Sequence, residues 1–216
     1  MLSRAELKQQ AKEQLKGNVG SLFLCFLAYF GVALVIGLVG GLISALVPVV
    51  GMIAMYVALP PLMMGIYMLF LNVTYGDKPK VSMLFGGYKP PMLGKSILLF
   101  VLEFIFLYLW MLLFIIPGII KSYSYAMSWY ILAENPDMTA RQAITESRRI
   151  MNGHKFEFFV LGLSFIPWVL LGYVTLGIAF IWVIPYMQLT MVNFYHNIKS
   201  KEAPVAEVVE EATVVE

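Results

Sequence analysis

Long apolar runs alternate along this chain with short polar stretches, and nearly every basic side chain lies in the polar ones. Arg4, Lys8, Lys12 and Lys16 precede the run 19–75, and Lys78, Lys80, Lys89 and Lys95 separate it from or open the run 93–133. Arg141, Arg148, Arg149 and Lys155 come before the run 156–197, and Lys199 and Lys201 follow it; only Lys121 lies elsewhere. A membrane-crossing helix needs about 20 mostly apolar residues, so each run holds two. Six crossings in three hairpins return every basic stretch to the same side, and basic residues mark the cytoplasmic side. The pattern therefore predicts an all-α, polytopic membrane helix bundle within residues 1–200. Both termini and the segments 76–93 and 134–155 are expected inside, with the turns at 46–51 and 172–177 outside.

The polar stretches carry their own periodicity. Ser3 and Glu6 have the spacing of a capping box, and they open a helix expected over 3–16. In it the basic stripe Arg4, Lys8, Lys12 and Lys16 runs beside Leu7, Ala11 and Leu15. Such a helix suits the membrane surface, with bases at the headgroups and leucines dipping into lipid. A second amphipathic helix is expected over 139–151, where Thr139 and Gln142 repeat the capping spacing and Asn152-Gly153 ends it. Ala140, Ala143, Ile144, Ser147, Ile150 and Met151 share one face, and Ile144, Ile150 and Met151 are expected to face lipid. Between the first two runs, Lys80 to Phe85 is a shorter stretch closed by Gly86-Gly87.

Prolines punctuate the apolar runs at Pro61, Pro117 and Pro185, each followed by another 18, 19 and 19 residues on. With the glycines that close each polar stretch, this spacing suggests a three-fold repeat of surface helix plus hairpin. A proline inside a helix removes a backbone donor and forces a kink, restart or turn. Pro60-Pro61 and Pro185 are read as kinks. Pro117-Gly118 is a strong turn signal, but a turn near residue 112 would divide the second run more evenly, and both positions stay open.

Composition agrees with a lipid solvent: 60% of residues are hydrophobic and 13% charged, against roughly 45–50% and about 25% in soluble domains. The net charge of +2 hides an uneven spread, since residues 201–216 form an acidic tail with five glutamates, expected to be disordered. The basic remainder suits membrane lipids as partners, and no nucleic-acid-binding motif accompanies it. Cys25, the single cysteine, lies inside the first run and reads as a core residue. His154 and His196 are the only histidines and neither has a second strong ligand at metal-binding spacing, so no metal, cofactor or catalytic residue is expected. Gly162-Leu163-Ser164-Phe165-Ile166 lacks the last glycine of a nucleophile elbow.

Ile115-Ile116-Pro117-Gly118-Ile119-Ile120-Lys121-Ser122-Tyr123-Ser124-Tyr125, then Ala143-Ile144, Ser147 and Met151-Asn152-Gly153-His154-Lys155, resemble the pattern of a bacterial membrane family catalogued as domain of unknown function 975. Leu15-Lys16-Gly17-Asn18 and Phe85-Gly86-Gly87-Tyr88-Lys89 are similar too, so the likeness covers nearly all of residues 1–200. It implies a bacterial cytoplasmic (inner) membrane protein and no particular activity. More distantly, the Pro-Gly-Ile turn and the helix that follows resemble the membrane domain of some glycerophosphodiester phosphodiesterases, which implies a shared scaffold without their hydrolytic domain.

Two charges fall well inside the runs, Glu103 and Lys121, and a charge in a span is costly unless paired, buried or beside water. They are expected to pair between the third and fourth helices if the turn is early. Tyr75, Tyr88, Trp129, Tyr130, Tyr195 and Trp168 read as an interfacial belt, and Gly37-x-x-x-Gly41 as an internal helix contact or a dimer face, with internal packing preferred. These features favour a non-enzymatic membrane scaffold or accessory protein working through lipid or another membrane protein. The alternative is a transporter or lipid-handling protein with a polar seam between helices 3 and 4; an intramembrane enzyme comes third.

Overall fold

The computed structural model describes residues 2–214, with side chains described as far as Lys201, so the acidic tail falls beyond the described side chains. Every regular element among the described residues is helical. The order is α1 (Arg4–Leu15), α2 (Val19–Leu46), α3 (Pro48–Thr74), a 3-10 segment (Val81–Tyr88), α4 (Met92–Leu113), α5 (Ile115–Tyr125) and α6 (Ser128–Glu134). Then come α7 (Ala140–Ile150), α8 (Lys155–Leu163), α9 (Ile166–Val174) and α10 (Phe180–Val214). Four stretches are long and apolar enough to cross a membrane: Val19–Leu46, Pro48–Thr74, Met92–Leu113 and Lys155–Val174, the last made of α8 and α9. The chain is thus an all-helical protein with membrane-spanning helices.

α2 and α3 form a hairpin with a single extended residue, Val47, between them. Pro48 starts α3, where its missing N–H costs nothing and its fixed φ already suits the helix. The two helices close on glycine: a Cβ at Gly51 would lie 2.1 Å from Ser44 Oγ, and one at Gly40 would lie 2.3 Å from Met55 Cγ. Internal packing therefore runs through Gly40. Gly37 and Gly41, expected to make it, have open space beside them.

The second hairpin turns at Phe114, an extended residue whose N–H is donated to the Trp110 carbonyl at 3.1 Å. This is close to the earlier of the two turn positions, and Pro117-Gly118 lies in the first turn of α5. Gly118 sits against Met111, where a Cβ would meet Sδ at 2.8 Å, so that contact sets the register of α5 on α4. Pro60 and Pro61 lie inside α3, and Pro185 lies inside α10.

The core gathers at the end of the molecule that carries the basic stretches. There α3, α6, α7 and α10 bury Leu69, Trp129, Tyr130, Ile144 and Tyr195, while the far ends of the hairpins stay open, with Leu42 70% and Ile116 72% exposed. Both amphipathic helices pack on protein, which corrects the expectation of lipid-facing surfaces. α1 buries Leu7, Ala11 and Leu15 against α10, and Ile144, Ile150 and Met151 of α7 join the core between α4, α6 and α10. The apolar face is where the periodicity placed it, but hydrocarbon side chains cover it. Arg4, Lys12 and Lys16 remain exposed and Lys8 is half-buried.

Candidate functional site

Three irregular points interrupt the helices, and each takes a side chain from a neighbouring segment. In α3 the prolines at 60 and 61 remove two backbone donors, and just before them the Tyr88 hydroxyl of the 3-10 segment donates to the Ala58 carbonyl at 2.8 Å. Close approach is possible because Gly65 and Gly87 lack side chains; a Cβ there would lie 1.8 Å from the Leu84 carbonyl oxygen and 2.0 Å from that of Pro61. Between α5 and α6 the chain breaks at Ala126-Met127. The Ser147 hydroxyl of α7 enters this break, accepting the Met127 N–H at 3.1 Å and donating to the Ser124 carbonyl at 2.8 Å.

The third break separates α8 from α9 at Ser164-Phe165, before Pro167. Here Lys8 of α1 donates to the Ser164 carbonyl at 3.1 Å, with its ammonium 4.4 Å from the centre of the Phe165 ring. A cation suits the C-terminal end of α8, where partial negative charge collects. Burial, then the nearby charges of Arg4 and Lys12, hold the Lys8 ammonium below the usual lysine range. A freed backbone group needs a partner where water is excluded, and Ser147 and Lys8 supply one at the second and third breaks, while Tyr88 ties the 3-10 segment to α3 beside its prolines.

Glu103 and Lys121 do not pair. The Trp129 indole N–H donates to Glu103 Oε2 at 2.8 Å, and the Lys121 ammonium lies over the Trp110 ring at 4.5 Å. With Lys121 opposite Trp110, Glu103 is seven positions further along α4, about 10 Å at 1.5 Å per residue. The polar seam expected between the third and fourth helices is thus two separate contacts, each with a tryptophan. Glu103 Oε1 is closed from solvent and has no hydrogen-bond partner among the described residues.

From Glu103 an aromatic column leads to the basic end. Tyr67 stacks on Trp129, with ring centres 5.5 Å apart, and meets Tyr130 edge-on at 4.8 Å; Tyr130 in turn stacks on Tyr195 at 5.8 Å. Trp129, Tyr130 and Tyr195 are therefore core residues, 5%, 3% and 1% exposed, where an interfacial belt was expected. The column ends at Glu134, which accepts from the Tyr75 and Tyr195 hydroxyls and from Lys199 at 2.5 Å. Burial raises the affinity of Glu134 for a proton, but the hydrogen bonds from Lys199, Tyr195 and Tyr75 outweigh it and hold the carboxyl below its ordinary range. Beside it, Thr74 and His196 share a hydrogen bond of 2.9 Å.

No group of three or more histidine, cysteine or carboxylate side chains converges among the described residues to hold a metal. His154 meets Glu157 at 3.0 Å, and Cys25 is buried in the core. What the polar groups do here is hold helices to one another. Sequence periodicity singles out Ser147 and Lys8, and its charge within an apolar run singles out Glu103; Tyr88 reads only as a belt residue, and Glu134 gives no signal before the segments are folded together.

Residues 111–202, from the end of α4 into α10, match the family described as protein of unknown function, DUF975. No curated protein and no solved structure matches.

Proposed function

We propose that this protein is a non-enzymatic membrane scaffold or accessory protein of the bacterial cytoplasmic membrane, acting through lipid or a membrane-protein partner. In this reading six helices cross as three hairpins. Each is preceded by a surface segment, and both termini are cytoplasmic because the basic stretches share one end. The observation that carries it is the division of labour between polar and apolar groups. Tyr88, Ser147 and Lys8 are spent on irregular backbone inside the protein, while the outer parts of the hairpins present apolar side chains such as Leu34, Leu42 and Ile116 outward. A surface of that kind acts by contact.

One group favours the alternative of a transporter or lipid-handling protein: Glu103 Oε1, a buried oxygen with no partner beside the aromatic column. Purified protein in sealed vesicles separates the readings. The scaffold reading expects proton flux and lipid flipping at the rate of protein-free vesicles. Flux above that rate, abolished by Glu103→Gln, would overturn it.

A further inference from the structure

A cleft of about 370 Å3 opens where the start of α1 and the start of α8 meet α10. This is within the range of small-ligand sites, about 300–1,000 Å3. Its floor is apolar and closed: Leu7, Leu161 and Phe194 are 2%, 0% and 2% exposed. Phe156, 73% exposed, extends the apolar wall outward along α8.

The rim has a different character. Arg4 and Glu157 both line the cleft and are exposed, but they make no ion pair with each other. Arg4 has no hydrogen bond or ion pair among the described residues. Glu157 gives one oxygen to His154 Nδ1 at 3.0 Å and keeps the other free of protein partners. Asn197, only 9% exposed, accepts the Leu2 N–H on Oδ1 at 3.2 Å, while its Nδ2 is buried with no partner among the described residues. A buried donor left unpaired is costly, and opposite charges that share a cleft without touching leave room for a ligand carrying the complementary pair.

We infer that this cleft binds the headgroup of a zwitterionic phospholipid with a primary ammonium, of the phosphoethanolamine type. Arg4 faces its phosphate, Glu157 faces its ammonium, and an acyl chain follows Phe156 over the apolar floor. A primary ammonium offers three N–H donors to a carboxylate, and such charge-assisted bonds are the stronger kind. A choline headgroup has none to offer. The proposal rests on the membrane-contact reading above and names the lipid for it.

The test is lipid retention by the full chain, purified in mixed micelles containing equal amounts of phosphatidylethanolamine, phosphatidylcholine and phosphatidylglycerol with matched acyl chains, read by native mass spectrometry. Phosphatidylethanolamine is expected to be retained roughly fivefold over phosphatidylcholine, the upper end of what an exposed ion pair contributes. Glu157→Gln brings that ratio to about one while lipid stays bound, and Arg4→Gln lowers retention of both. Both side chains are exposed, so melting temperatures should match the wild type and confirm folded variants. Equal retention of all three lipids, stronger retention of phosphatidylglycerol, or an ethanolamine preference that survives Glu157→Gln would overturn the site. Loss of headgroup preference with vesicles that stay silent leaves the scaffold reading standing, whereas flux in the vesicle assay overturns that reading even if the preference is found.

Discussion

The Ser147 hydroxyl of α7 is held between the Met127 N–H at 3.1 Å and the Ser124 carbonyl at 2.8 Å, inside the break between α5 and α6. One helix thereby completes the backbone between two others. Ser147 is wholly buried, so Ser147→Ala leaves the Met127 donor unpaired where no water reaches it. The expected loss is about 1–3 kcal/mol, seen as a lower melting temperature in detergent. Thr145→Ala removes a hydroxyl that is bonded only to the Arg141 carbonyl on the exposed face, and should stay within about 0.5 kcal/mol of wild type. Equal effects from the two changes would show that the break does not depend on α7.

What the sequence made legible and what it did not follow from how local each rule is. Ser3 with Glu6 and Thr139 with Gln142 are three residues apart, so their spacing alone defines capping boxes, and in both pairs each side chain bonds the other's backbone N–H. The buried face of α7 was readable for the same reason. What covers that face was not, because a stripe of Ile144, Ile150 and Met151 packs as well on lipid as on leucine. The Glu103 to Lys121 separation depends on a register fixed by Gly118 against Met111 and on a turn at Phe114, an aromatic residue with no turn preference. Trp129 and Tyr130 likewise read as belt until α3 and α10 are brought around them.

That register has a measurable consequence. Two charges about 10 Å apart along the helices, each with its own tryptophan, should behave independently. A cycle of Glu103→Gln, Lys121→Met and the double change is expected to give a coupling energy within about 0.5 kcal/mol of zero. Glu103→Leu should cost more than Glu103→Gln, because leucine cannot accept the Trp129 N–H and glutamine can. Detergent melting curves for the four proteins of the cycle and for Glu103→Leu decide this. A coupling above about 1 kcal/mol would mean a direct pair and a different hairpin register.

Packing of α7 on protein also predicts unequal effects on its two faces. Ile144 is 3% exposed and Ile150 2% exposed, so Ile144→Ala should cost about 2–5 kcal/mol, and Ile144→Glu, which buries a charge without a partner, should prevent folding. Arg148 lies on the exposed face, and Arg148→Glu is expected within about 0.5 kcal/mol of wild type. Yield of monodisperse protein on size exclusion, followed by melting temperature, checks the order. If Ile144→Glu folds normally, the helix is not part of the core.

Glu134 makes the acid limb of stability testable. Its carboxyl is held below the ordinary range by Lys199, Tyr195 and Tyr75 despite burial, so the folded protein binds the Glu134 proton less tightly than the unfolded chain does. The sign follows from linkage: this contribution is complete above the unfolded carboxylate value and is lost as pH falls through the lower, folded one. Wild-type melting temperature should therefore drop as the medium is taken from about pH 6 to below about pH 4. Glu134→Gln cannot titrate, so it should start lower at neutral pH and fall less over the same interval. Glu146, also held low mainly through its hydrogen bond from Arg149, is present in both proteins, so the difference between the two curves isolates Glu134. Parallel curves would mean that the three donors around Glu134 do not hold its charge in the folded state.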